Sequence, residues 1–159
     1  MIGYENFSDD SRVWIYQSNR WFSDEEAVVL RANLKKFATN WVSHNRQLKA
    51  FGDVFHNRFI VLMVDESQAD ASGCSIDASV AFLRQMEVQF QTDLFDRMQF
   101  TLRLGGENVN LSKEDFADWY ASGKIDDQTL VFDTLVNNKK DFEEAWLKPL
   151  GKSWLKRMV

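Results

Sequence analysis

Two groups of residues in this 159-residue chain have types and spacing that suit chemistry. The first joins Asn19-Arg20 to Asn57-Arg58. Two guanidinium forks with neighbouring carboxamides can grip a carboxylate or phosphate through paired N–H donors. The second is Ser72-Gly73-Cys74-Ser75, at the start of a helical pattern. Amides at a helix N-terminus attract anions, and the same field favours a thiolate, which makes Cys74 a candidate nucleophile with His44 as its base. Each group also has a plainer reading. The asparagines can serve turns while each arginine pairs with an acid such as Asp93 or Asp96. Ser75 can be an ordinary helix cap, Asp77 a dipole partner and Cys74 a small buried filler.

Other patterns are set aside on physical grounds. Asp65, Glu66, Asp70 and Asp77 lack the alternating acidic order and glycine of a calcium loop and read as solvated carboxylates, so neither metal nor cofactor is expected. Gly151-Lys152-Ser153 ends like a phosphate-cradling loop. Trp146 stands where that loop needs its first glycine, however, Pro149 lies inside it, and six residues remain for the helix that must follow. Nucleotide hydrolysis by this motif is rejected.

Composition narrows the classes further. A single cysteine excludes an internal disulfide framework, and with only two histidines beside it a zinc site is disfavoured. A reducing, cytoplasmic setting is expected. The first ten residues include Tyr4, Glu5, Asp9 and Asp10, unlike the basic and then apolar order of a signal peptide, and no apolar run is long enough to span a bilayer. A formal charge of −5 argues against phosphate neutralisation as the main source of affinity.

The elements that must position these residues follow from hydrophobic spacing. Arg12-Val13-Trp14-Ile15-Tyr16-Gln17 reads as a strand, apolar on both faces. Ser23 with Glu26 forms a capping box for a helix carrying Ala27, Leu30, Leu34, Phe37, Ala38 and Trp41 on one stripe. A weak strand over residues 48–55 turns at His56-Asn57 into Arg58-Phe59-Ile60-Val61-Leu62-Met63-Val64-Asp65, whose six consecutive apolar residues suit a strand buried on both sides. Ile76, Val80, Leu83, Met86 and Phe90 mark a second helix, and residues 98–104 form a strand that turns at Gly105-Gly106 into a short return strand near Val109. Ser112 caps a third helix stopped by Gly123. The remainder reads as helical, with a break or new cap at Asn137-Asn138.

The order strand, helix, strand, strand, helix, strand is that of the ferredoxin-like βαββαβ unit, an α+β antiparallel sheet. The reading is therefore one domain over 1–159, with a core at 11–111 and a C-terminal helical extension at 112–159; an α+β sheet with those helices inserted between strands is the alternative. Asn19, Arg20, Asn57 and Arg58 then meet at one end of the sheet, and Ser72 to Ser75 lie at the other, near the loop of His44. The second sheet face is also apolar and needs a cover, either the helices after Ser112 or a second subunit, which makes a homodimer the expected assembly. Were Trp14, Tyr16 and Phe59 exposed instead, they would offer a stacking platform for single-stranded RNA. The adverse charge and the aliphatic partner strand favour packing, and nucleic acid is not the expected partner.

The blocks Arg12 to Arg20, Asn57 to Leu62 and Ser72 to Val80, with Leu135-Val136-Asn137-Asn138 and Ser153-Trp154, resemble a family of short uncharacterised bacterial proteins often labelled "ABC transporter ATPase". The resemblance runs over nearly the whole chain and implies no activity, and the label conflicts with the defective phosphate loop. The functional expectation is a small soluble binding domain for an anionic ligand or a protein partner, leaning away from an enzyme. A thiol-dependent enzyme using Cys74 and an RNA-binding sheet are the alternatives.

Overall fold

The computed structural model describes residues 3–67 and 69–159, an α+β protein built on separate antiparallel sheets. The first sheet contains β1 (Arg12–Gln17), β4 (Lys49–Phe55) and β5 (Phe59–Asp65). Between them in the chain lie α1 (Asp24–Asn40) and a small hairpin of β2 (Val42–Ser43) and β3 (Arg46–Gln47); α2 (Gly73–Phe90) follows. The strand order is β1-β5-β4, with Arg12 opposite Val64 and Lys49 opposite Asp65. β5 is thus the central strand, and all seven of its residues are buried.

Its alternation divides the core in two. Ile60, Leu62 and Val64 pack with Leu30 and Leu34 of α1 and Leu83, Met86 and Phe90 of α2. Phe59, Val61 and Met63 pack on the opposite side with Phe7, Phe132, Val136, Phe142 and Trp146. α1 begins where its expected cap puts it, and α2 begins three residues before its own. Ser23 and Glu26 form the reciprocal box of α1, while Ser72 and Ser75 do the same for α2, so the cap of α2 is Ser72 rather than Ser75.

The second sheet has the order β7-β6-β8-β9, from β6 (Gln99–Leu104), β7 (Glu107–Ser112), β8 (Leu130–Phe132) and β9 (Leu147–Pro149). It encloses a third core of Phe100, Leu102, Leu111, Val131 and Leu150 with Phe116 of α3 (Lys113–Ala121).

Three expectations are corrected. The four-stranded ferredoxin-like sheet is not formed, because β6 leaves β1 and folds back on β7 through Gly105 and Gly106 at φ +58° and +84°. Phe100 and Leu102 gain apolar partners within the second sheet, and the edge of β1 is met instead by loop backbone. There Val13 N–H donates to Asn137 O at 3.0 Å, and Arg12 bridges Asn138. β6 and β7 therefore belong with the C-terminal segment rather than with a core ending at residue 111.

Nor is that segment wholly helical. Leu130-Val131-Phe132 and Leu147-Lys148-Pro149 are strands, and between them α4 (Lys139–Glu144) is a six-residue helix capped by Asn138. Val131 and Phe132 are buried in two different clusters, as successive residues of a strand can be, while Pro149, which lacks an N–H, is tolerated because β9 is the outer strand of the sheet. Finally, Phe132, Val136, Phe142 and Trp146 cover the second face of the first sheet from within the chain. An uncovered face was the reason to expect a second subunit, and that reason is removed.

Asp65 closes the far end of β5. It accepts from Ser8 N–H at 3.1 Å and Ser67 N–H at 3.0 Å and lies 3.3 Å from Lys49 Nζ. Burial pushes its pKa up, but Ser67, Ser8 and Lys49 outweigh that effect and hold the carboxyl well below the usual range. A carboxyl with a folded pKa below its unfolded value contributes stability above the ordinary range, near 3.8, and loses it as pH falls toward the folded value. Asp65→Asn is expected to lower stability by about 1–3 kcal/mol at pH 7 and to flatten the acid side of a urea-unfolding profile against pH. Val61→Asp, which puts an unpaired charge into the cluster of Phe59, Met63 and Phe132, is expected to cost about 4 kcal/mol or more, read as loss of the cooperative melt.

Candidate functional site

Residues 18–22 and the β4–β5 turn do meet at one end of the first sheet. Ser18 N–H donates to Arg58 O at 2.8 Å, and Phe22 N–H to Asn57 O at 2.7 Å. The turn is tight because His56 and Asn57 adopt φ +56° and +52°, left-handed values that suit an asparagine. Phe55 pairs with Phe59, so Arg58 stands just outside the ladder as an extra residue before β5.

The meeting does not produce two open forks. Arg20 grips Glu26 bidentately, Nη1 to Oε1 at 2.9 Å and Nη2 to Oε2 at 2.6 Å. It also donates to the Phe90 carbonyl and, from Nε at 3.4 Å, to Gln91 O at the end of α2. The Arg20 hydrogen bond, with the Ser23 amide, holds Glu26 down to about 2, while Glu26 raises the pKa of Arg20. Asn19 Oδ1 accepts from Thr92 Oγ1 and Asp93 N–H, both at 3.0 Å. Asn57 Nδ2 donates to Asp24 Oδ1 at 2.8 Å. These three polar side chains are occupied by the fold. The acid that pairs with Arg20 is Glu26, whereas Asp93 and Asp96 cap the backbone that follows them.

Arg58 differs from all of them. It is only 1% exposed, and its buried Nε and Nη2 have no acceptor among the described residues. No carboxylate among the described residues forms an ion pair with it. Its Cζ lies 4.3 Å from the ring centroid of Trp21, an exposed indole over the guanidinium. Burial with no compensating partner pushes its pKa down to about 10. A cation held this way destabilises the fold unless an acceptor completes it.

At the opposite end, the loop of His44 does approach the start of α2. Ser43, His44, Arg46, Asp70 and Ser72 line one open depression, and Cys74 is not among the residues of its wall. His44 is therefore brought to the same depression as Ser72. Ser72 and Ser75 satisfy each other, Ser75 N–H to Ser72 Oγ at 3.2 Å and Ser72 N–H to Ser75 Oγ at 2.6 Å. Cys74 is exposed, which corrects its reading as a buried filler. The stacking platform is not formed either, since Phe59 is fully buried and Trp14 and Tyr16 pack against the helical core.

Gly151 of the Gly-Lys-Ser run packs against Asp127, where an added Cβ would come within 3.0 Å, and its N–H donates to Asp127 O at 2.9 Å. Its glycine thus serves close packing, and the run lies across a 3₁₀ turn at Leu150–Lys152 rather than at the start of an α-helix.

Trp21 was not legible as part of a site. An indole beside an arginine and ahead of a capping serine carries no spacing signal, and only the folded turn places it over Arg58. No family model, curated protein or solved structure matches the chain. No helix among the described residues is long and apolar enough to cross a membrane.

The exposure of Cys74 sets an expectation for the thiol. Ellman's reagent should label it stoichiometrically in the folded protein, and Cys74→Ser should leave stability within about 0.5 kcal/mol of the parent.

Proposed function

We propose that the chain is a noncatalytic domain that binds a small anion at Arg58. The observation that supports this is the buried guanidinium with an empty pair of donors. Proteins do not ordinarily bury a cation without an acceptor, and where one is kept the missing partner is a functional candidate. The neighbouring polar groups sharpen the contrast. Arg20, Asn19 and Asn57 all have protein partners, so Arg58 alone is left able to answer a ligand.

The α2 N-terminus is the weaker of the two expected anion sites, because its serines cap it internally and Asp70 lies in the same depression. For a thiol-dependent reaction the support is the exposure of Cys74 alone, with no hydrogen bond from His44 to the thiol among the described residues. The exposed lone thiol suits a reducing compartment such as the cytoplasm. The resemblance to short bacterial proteins adds no activity to this reading, and a monomer is sufficient for it.

Thermal melts in acetate, phosphate or chloride at constant ionic strength test the proposal. At least one anion should raise the wild-type melting temperature and leave Arg58→Met unmoved. Without ligand, Arg58→Met should be as stable as the parent or more stable by about 1–4 kcal/mol, because it replaces an unpaired buried charge with an apolar chain of similar length. Equal shifts in both proteins, or none in either, would overturn the assignment.

A further inference from the structure

Resting on that reading, we infer that the Arg58 site selects a planar carboxylate, held edge-on by Nε and Nη2 while the indole of Trp21 roofs the guanidinium. Nε and Nη2 are the two guanidinium nitrogens of Arg58 that have neither an acceptor among the described residues nor access to solvent, and they are not an arbitrary pair. Nε–H and one Nη2–H of an arginine point in parallel along the same edge of the plane, spaced to meet the two oxygens of one carboxylate. What is missing is therefore one bidentate acceptor rather than two scattered ones.

The roof supplies the selectivity. A ring centroid 4.3 Å from Cζ takes up one face of the guanidinium and leaves its edge for hydrogen bonding, so the cation–π contact and the fork can be used together. A carboxylate lying in the guanidinium plane fits under the same ceiling. Phosphate carries oxygens above and below that plane, and one of those directions is taken by the indole. Chloride, a single sphere, meets both donors only as one shared acceptor with bent N–H···Cl angles, and such bonds are weaker than two straight ones.

The enclosure also limits the size of the ligand. With 1% of Arg58 exposed, the fork is shut off from solvent, and the exposed side chain stacked on it is Trp21, at 40%. The backbone around Trp21 is pinned on both sides, by Asn19 N–H to Asp93 O at 3.1 Å and by Phe22 N–H to Asn57 O at 2.7 Å. The segment that carries the roof is thus held in place, and a fork this enclosed admits only a small free carboxylate.

Competition titrations followed by indole emission test the inference, with acetate, phosphate and chloride at fixed ionic strength and Trp21→Phe as the control for the reporter. Acetate should bind at least tenfold more tightly than chloride or phosphate. Arg58→Lys, which keeps the charge and loses the fork, should remove that preference, and Trp21→Phe should remove most of the emission change. If acetate, phosphate and chloride bind wild type alike and all are lost in Arg58→Met, carboxylate selection is wrong and the anion site stands. A preference for acetate that survives in Arg58→Lys would also overturn selection by the fork. If no anion gives a response that depends on Arg58, both the selection and the site fall.

Discussion

The structure depends on one strand being dry on both sides. Every residue of β5 is buried, and its alternate side chains feed two separate hydrophobic clusters. A strand of this kind cannot sit at a rim or present a face to water, because a shift of one residue would exchange its two sets of side chains between cores built to different shapes. α1 and α2 must therefore cover one side and the C-terminal segment the other. Polar groups are confined to the strand's ends, Asp65 at one and Arg58 just outside the other. Asp65 is satisfied by Ser8, Ser67 and Lys49, whereas the guanidinium of Arg58 is not.

That asymmetry follows from how the chain handles its other charges near the hairpin. Glu26 caps α1 through the Ser23 amide at 3.0 Å and neutralises Arg20 with the same carboxylate. Arg20 in turn satisfies carbonyls at the end of α2. One acid thus ties together the start of one helix, the end of the other and the segment that carries Trp21. No second acid among the described residues pairs with Arg58. The framework around it is cross-linked by hydrogen bonds, while the group itself lacks a partner, and a preorganised receptor needs that combination.

Where a single short-range rule decides the outcome, the sequence is readable. Residues 12–17, the Ser23–Glu26 box, the His56-Asn57 turn, the buried run after Arg58 and the Gly105-Gly106 hairpin all lie where local pattern places them. The destination of β6 was not readable, because its alternating apolar residues suit the edge of β1 and the face of β7 equally well and only the competition between those partners decides. Leu130 to Phe132 and Leu147 to Pro149 are too short to show a period. At the candidate site, proximity was readable and availability was not. The segments that carry Arg20 and Arg58 meet, but whether a guanidinium is already paired depends on side-chain directions that spacing does not encode.

The closure of β1 also orders events in time. Its free edge is met by Asn137 and Asn138, and the buried ammonium of Lys139 donates to Phe7 O at 2.8 Å across 132 positions of sequence. A chain that emerges from the ribosome with its amino end leading can pair β1, β4 and β5 under their two helices well before those residues exist. Until they arrive, Phe59, Val61 and Met63 form a bare greasy surface. A chain that folds in that order passes through a half-covered stage of biosynthesis, in which a chaperone or another nascent copy competes for the surface that its own late segment will occupy.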